Sequence, residues 1–203
     1  MTDNRIVCHI DMDAFYCQVE CALFPQLKGL PCVVCQYNPS PGFLVENLLP
    51  DNPNRINYSG STFNTIIAVS YEARAKGVRR LGGQSGQQAK KICPELNLIH
   101  VPTQYHKVNL EIYRTAGARV VNVLKDYLKH ASDISNASIN DSNSNSNSIH
   151  GNNSGNGTER ERERESPILL EKASIDEVYI DITKECEKRF ELLILKSKNS
   201  NLS

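Results

Sequence analysis

The chain has 203 residues, 39% hydrophobic and 23% charged, with 23 Lys+Arg matched by 23 Asp+Glu, which suits one soluble globular unit plus some unstructured sequence. A formal charge of zero argues against a protein whose main task is gripping a nucleic-acid backbone, because such chains are usually basic. No apolar run is long enough to span a bilayer and MTDNRIVCHI lacks the shape of a secretory signal, so an intracellular setting away from membranes is expected.

RIVCHID alternates, with Ile6, Cys8 and Ile10 on one face and Val7, His9 and Asp11 on the other, which predicts a strand ending on a carboxylate. Asp13 is placed to cap the helix that follows, and ALFPQLKG closes it. PCVVCQY predicts a second strand, and TIIAVSY a third that runs into the short helix EARAKG, ending on Gly77. Between those strands, residues 38–64 are dominated by Pro, Asn, Gly and Ser, which predicts a loop insertion. QSGQQAKKI predicts a helix stopped by Pro94, and NLIHV a strand. Residues 104–129 carry the longest helical signal, with Val108, Ile112, Ala116, Val120 and Val123 near helical period.

Residues 131–166 hold SNSNSNS, GNNSGNG and ERERERE without an aromatic ring. They bury too little apolar surface to offset their ordering entropy, so a disordered insertion is expected, open to protease at Arg160, Arg162 and Arg164. PILLEKASIDEVYIDIT then gives two β-rich runs about a polar centre, KECEKRFELLIL a closing helix, and KSKNSNLS a fraying end. The order βαββα, then β, a long helix, two strands and a helix predicts a mixed α+β layer fold.

Seven cysteines in such a chain read as reduced thiols. Cys17, Cys21, Cys32 and Cys35 have a superficial zinc look, but Cys17 and Cys21 fall one turn apart on a helix. Cys32 and Cys35 lie three apart on a strand and so face opposite sides, which favours buried small hydrophobes over structural zinc.

The chemistry gathers at two acidic strand ends. Asp176 and Glu177 are adjacent and would point to opposite faces of a flat strand, so they converge only at a hairpin tip or bulge, which KASIDE permits. Beside the rim holding Asp11, three carboxylates could surround one or two hard cations, and two metals suit phosphoryl transfer. An acid pair in a solvated hairpin turn is the plain alternative. From Tyr71 to Lys91 the chain carries Arg74, Lys76, Arg79, Arg80, Lys90 and Lys91 against Glu72 alone. Arg74 lies one turn beyond Tyr71, so a hydroxyl and a guanidinium share a face suited to phosphate oxygens. The plain alternative here is a solvated helix with a Glu72–Lys76 pair.

HIDMDAFYCQVE, PCVVCQY, IIAVSYEARAKGVRR, AKKICPELNLIHV and KASIDEVYID together resemble, in the same order, the Y-family translesion DNA polymerases, and within them the eta subfamily. The resemblance implies an α+β fold of palm and small fingers: palm at 1–13 and 93–203, fingers at 14–92, interrupted by 38–64 and 131–166. It implies a DNA-directed DNA polymerase transferring a nucleotide from a dNTP to a primer 3′-hydroxyl on primer-template DNA, with two Mg²⁺ that Mn²⁺ can replace. Asp11 and Asp176 then resemble the carboxylates bridging both ions, Glu177 a ligand of the catalytic ion, and Met12 a backbone ligand of the nucleotide-bound ion. Tyr16 resembles the steric gate under the sugar, with Phe15 beside it and backbone N–H groups facing the triphosphate. Tyr71 and Arg74 resemble the triphosphate clamp, and Gln36 and Arg80 the finger residues against the nascent base pair.

Relative to that family the sequence stops soon after SIDEVYID, so a truncated catalytic core is expected. It lacks thumb, little finger and replication-clamp motif, binds DNA weakly, and by resemblance is nuclear. Two alternatives remain open beside it. One is a non-catalytic remnant that keeps a nucleotide–metal pocket or an interaction surface; the other, further off, is a nucleotidyl cyclase on a related palm.

Overall fold

The computed structural model describes residues 4–36, 47–59, 65–80, 84–105, 107–143 and 168–200. In chain order the elements are β1 (Val7–Asp11), α1 (Phe15–Leu23), β2 (Cys32–Gln36), β3 (Thr65–Val69), α2 (Tyr71–Ala75), α3 (Gly86–Ile92), β4 (Asn97–His100), β5 (Thr103–Gln104), β6 (Lys107–Val108), α4 (Glu111–Asn143), β7 (Leu169–Lys172), β8 (Glu177–Asp181) and α5 (Thr183–Ser200). Two short 3₁₀ turns, Pro25–Leu27 and Pro53–Arg55, follow α1 and precede β3. Helices and strands are thus mixed as the α+β expectation had it. Among the described residues no helix is long and apolar enough to cross a membrane.

The chain forms two compact units, one from Met1–Asp11 with Val120–Ser203, the other from Met12–Arg119. In the first, β1, β8 and β7 make an antiparallel sheet with β8 in the middle. Val178 and Ile180 of β8 are buried and Tyr179 between them is exposed, the period-2 pattern of a strand with one covered face. In β1, Val7, Cys8, His9 and Asp11 are all exposed and Ile10 is half-buried. Arg5 donates from Nε (3.0 Å) and Nη2 (2.7 Å) to Asp181, whose other oxygen accepts from Thr183 N (3.0 Å) and Oγ1 (2.6 Å). These bonds tie the approach to β1, the end of β8 and the start of α5 together, and they hold the Asp181 carboxyl down at about 2, Thr183 contributing most.

In the second unit β2 is the central strand, antiparallel to β3 and parallel to β4. Cys32, Val33, Val34 and Cys35 are all buried, as befits a strand covered on both faces. The core joins Val33, Cys35, Ile66, Val69, Ala73, Val78, Ala89, Cys93, Leu96 and Leu98. The cysteines serve as small apolar side chains there, and burial pushes the Cys35 thiol up to about 12. Among the described residues no group of three or more His, Cys, Asp or Glu side chains is placed as metal ligands. β4 pairs with β2 in this unit, which runs on to Arg119.

Three expectations need correction. Thr103–Gln104 and Lys107–Val108 pair as β5 and β6 where the first turns of the long helix were expected, and Asn109 Oδ1 accepts from Glu111 N (3.0 Å) where α4 begins, seven residues later than position 104. The buried stripe of α4 is Tyr113, Gly117 and Val121, one residue round from the expected face; Val120 and Val123 are exposed. Apolar spacing could not reveal this, since the stripe is chosen by a tyrosine held through its hydroxyl. Finally α4 runs on to Asn143, so 131–143 are helical; the rest of the insertion expected at 131–166, with its arginines, lies outside the described residues.

The insertion at 38–64 is likewise no plain loop where it is described, at 47–59. Leu48 is 2% exposed and exchanges bonds with Thr103, its N–H donating to Oγ1 (3.0 Å) and its carbonyl accepting from Thr103 N (2.9 Å). Asn57 N donates to Leu98 O (2.6 Å), and Leu98 N to Asn57 Oδ1 (3.1 Å), fastening the segment along β4. Pro and Asn here serve turns that return a packed segment to the core. Leu48→Ala should therefore lower the unfolding free energy by about 2–5 kcal/mol in a denaturant titration; a change within about 0.5 kcal/mol would mark the segment as a surface loop.

Candidate active site

The acidic residues sit in the first unit. Asp11 ends β1 and Glu177 begins β8, and the ladder pairs them directly opposite one another. Side chains in such positions share a face, and like charges there are destabilising. Asp176 precedes Glu177 in the turn between β7 and β8, the hairpin position expected for it. His9, two residues before Asp11 on the same face, approaches Glu177 with Nε2 3.7 Å from Oε1 and stacks on Tyr179 at 4.8 Å.

The three carboxylates do not close on a single point. Ser174 Oγ donates to Asp176 Oδ1 (2.9 Å) and accepts from Asp176 N (3.3 Å), a local turn that holds the Asp176 side chain to its own hairpin. Among the described residues no three acidic, His or Cys side chains converge as metal ligands. Their chemistry still suits a hard cation, because Asp11 and Glu177 offer carboxylate oxygens on one face and Asp176 is one residue away.

Tyr71 and Arg74, expected from sequence to suit phosphate oxygens, lie in the second unit. Ser70 caps α2, its Oγ accepting from Ala73 N (3.2 Å), so the helix starts with Tyr71 and brings Arg74 one turn on. The Arg74 guanidinium lies 5.3 Å from the Tyr71 ring centroid, and its Nε donates to Val69 O (3.1 Å). Tyr71 and Arg74 thus share a face. The suggested Glu72–Lys76 pair does not form; Lys76 pairs with Glu95.

Asp13 does not cap α1. The N-cap is Ala14, in left-handed backbone at φ 51°, and no side chain caps the helix. A residue with a Cβ adopts that conformation at a cost of roughly 1–2 kcal/mol, and here the turn releases Asp13 to face α2. Tyr71 Oη donates to Asp13 Oδ2 (2.6 Å), and Arg74 Nη2 lies 2.8 Å from Oδ1. The Tyr71 hydroxyl, followed by Arg74, holds the Asp13 carboxyl below the usual aspartate range, and Asp13 in turn raises the Tyr71 phenol. The clamp residues are brought together on an anion, and that anion is a side chain of the same unit.

Phe15 and Tyr16 open α1, Phe15 buried and Tyr16 half-buried, their rings edge to face at 5.9 Å. Tyr16 also lies against Tyr113, at 4.4 Å between centroids. One turn after Tyr16 comes Glu20, wholly buried, whose Oε1 accepts from both Tyr113 Oη and Arg55 Nη2. Burial raises the Glu20 carboxyl despite the opposing pull of Arg55 and Tyr113. Gln36, the last residue of β2, is exposed opposite Thr65, and Arg80 is exposed beyond Val78. Met12 is half-buried between Asp11 and Asp13.

Sequence reasoning missed Glu20, Arg55 and Tyr113. Glu20 had a faint signal, an acid four residues after Tyr16 on a helix face that is otherwise covered. Arg55 had none, since it sits among Pro and Asn in a segment with no periodicity.

The impB/mucB/samB family matches residues 10–156, well over half of the chain. This chain belongs to that family. It is 33% identical over 186 residues to DNA polymerase eta of Arabidopsis thaliana, covering 92% of this chain and 18% of that protein. Similarity to DNA polymerase eta of Drosophila melanogaster is 32% over 188 residues, 93% of this chain and 14% of that one. DNA polymerase IV of Saccharolobus solfataricus is 33% identical over 137 residues, 68% of this chain and 30% of the relative. A solved Y-family DNA polymerase chimera matches with a TM-score of 0.50 at 25% identity, covering 95% of this chain and 37% of that one. The impB/mucB/samB region described here therefore has a Y-family fold, and the chain spans under a third of the length of these polymerase relatives.

The clamp geometry has a measurable consequence. In an NMR titration the Asp13 carboxyl should show a midpoint below the ordinary 3.8, and Tyr71→Phe should move it back up. Because the folded value is depressed, the contact contributes above the ordinary range and is lost as pH falls through the folded value. A midpoint indifferent to Tyr71→Phe would contradict the bond.

Proposed function

We propose that this chain supplies the nucleotide- and metal-handling part of a DNA-directed DNA polymerase of translesion synthesis. The observation that carries the proposal is the direct opposition of Asp11 and Glu177 at the end of the β1–β8 ladder. A sheet loses stability from like charges so placed, and a divalent cation between them removes the conflict. Asp11 and Asp176 would hold two Mg²⁺, with Glu177 on one of them and the Met12 carbonyl on the other; Mn²⁺ would substitute. Such ions, when bound, neutralise charge on the phosphates and on the attacking 3′-hydroxyl.

The residues of the chain have distinct tasks in this reading. Arg74 and Tyr71 exchange Asp13 for the triphosphate, a guanidinium and a phenol hydroxyl giving directional bonds to its oxygens. Tyr16 lies under the sugar and excludes a 2′-hydroxyl by contact, with Phe15 packed behind it. Gln36 and Arg80 face the nascent base pair. Asp176, now bonded to Ser174, would have to leave that bond to hold a cation. Names of the relatives, DNA polymerase eta and DNA polymerase IV, support the reaction class, and nuclear residence follows if the kinship lies with the eta proteins.

A second reading is a remnant that keeps the nucleotide pocket without synthesis; the occupation of Tyr71 and Arg74 by Asp13 favours it. Melting with Mg²⁺ and a dNTP tests the first point: the transition should rise by mass action, and Asp176→Asn should abolish the rise. An equal rise in that variant would remove the acids from the site. Asp13→Asn, by freeing the clamp, should bind dNTP about a few-fold more tightly. Primer extension with Mn²⁺ and Mg²⁺, using Asp176→Asn as background, tests synthesis by this chain: none is expected of a truncated catalytic core, and extension above the background overturns both the truncated-core and the remnant readings.

A further inference from the structure

We propose that Arg55, on the segment between β2 and β3, is a positioning residue that sets the Tyr16 ring through Glu20 and Tyr113. The inference rests on the reading of Tyr16 as the sugar-facing residue, but its geometric part does not.

Arg55 is 0% exposed, as are Glu20 and Tyr113. All three of its nitrogens are engaged: Nε donates to His100 O (2.9 Å), Nη1 to Pro50 O and Nη2 to Glu20 Oε1. The two carbonyls come from its own segment and from the end of β4, so the guanidinium is fixed before it reaches the carboxylate. The Phe24 ring, at 5.6 Å, covers it from the end of α1. Glu20 Oε1 takes a second bond from Tyr113 Oη, while its Oε2 is buried without a partner. The carboxylate is therefore located by these two donors.

The consequence passes to Tyr16 along two short routes. Glu20 lies one turn after Tyr16 on α1, so the two side chains are neighbours on one helix face. Tyr113 carries its hydroxyl on Glu20 and its ring on the Tyr16 ring, at 4.4 Å and 46°. Loss of Arg55 leaves a buried carboxylate short of its cation, which the site relieves by protonation or by displacement of Glu20. Displacement carries the Tyr113 hydroxyl with it, and the ring that backs Tyr16 moves. A steric gate works by contact, so a small movement of the ring changes what it excludes.

The same side chains could simply stabilise the unit, and the test separates the two roles. The full chain is labelled with 3-fluorotyrosine, the Tyr16 resonance is assigned by Tyr16→Phe, and affinities for dATP and ATP are measured with Mg²⁺ by calorimetry. In Arg55→Met the Tyr16 line should shift, and the dATP-to-ATP affinity ratio should fall by about threefold or more. Adding Glu20→Gln removes the stranded charge, so melting should recover while the Tyr16 line stays displaced and the ratio stays low. A purely structural role would restore all three together and overturn the proposal. So would a Tyr16 line unmoved in Arg55→Met. Should that variant fail to fold, Tyr113→Phe keeps the ring and deletes only its bond to Glu20, and an unmoved Tyr16 line there overturns the proposal equally. A displaced line with a ratio that neither Arg55→Met nor Tyr16→Ala alters would sink the gate assignment of Tyr16 and leave the positioning role of Arg55 supported.

Discussion

A carboxylate buried out of reach of water organises the second unit. Glu20 could not remain there alone, since removing one partner from a buried ion pair typically costs about 3–5 kcal/mol. Its partners come from far apart in sequence: Arg55 from the segment before β3, and Tyr113 from α4. Arg55 in turn needs the carbonyls of Pro50 and His100, which fixes the return of residues 47–59 along β4. One acid on α1 thereby dictates how a Pro- and Asn-rich segment folds and which face of α4 is covered. Such pairs are weak sources of net stability but strong selectors among arrangements, because every wrong one strands a charge.

Where the unit is built for packing, local rules agree with one another; where chemistry is expected, they conflict. Ser70 and Ser85 cap α2 and α3 in the ordinary way, the latter with a full capping box. By contrast α1 begins at a left-handed alanine with no side-chain cap, and β1 ends with its carboxylate facing another. Both exceptions fall within HIDMDAFY. Their coincidence over a few residues is what a functional edge looks like when stability is set aside locally.

That pattern also explains what the sequence could disclose. Alternation in RIVCHID and EVYID was enough for β1 and β8, and the polar KASIDE centre for their hairpin partner, because a half-covered sheet writes its period into the chain. Five ordered blocks identified the family. The buried face of α4 was not legible, since Ile112 and Tyr113 are adjacent and only a distant carboxylate decides between them. Asp13 was misread for a related reason. An aspartate just before a helix is a good cap by local rules, and the left-handed turn at Ala14 that redirects it cannot be seen in composition. Arg55 lay in a stretch whose turn residues looked like a loop and in fact return it to the core.

The stretch from Tyr71 to Lys91 shows how a neutral chain can keep a usable positive face. Of its six basic residues Arg74 is paired with Asp13 and Lys76 with Glu95, while Arg79, Arg80 and Lys91 are exposed. Both pairs are solvent-exposed, and exposed pairs are worth little because water and salt screen them. Asp13 is thus a weak occupant of the clamp. It holds the Tyr71 hydroxyl and the Arg74 guanidinium on the two oxygens of one carboxylate. Under the proposed function a triphosphate, with more charge and more acceptor oxygens than one carboxylate, would displace Asp13 at small cost and meet donors already oriented. On that reading Asp13 is a competitor weak enough to leave, and its loss would strengthen nucleotide binding only modestly.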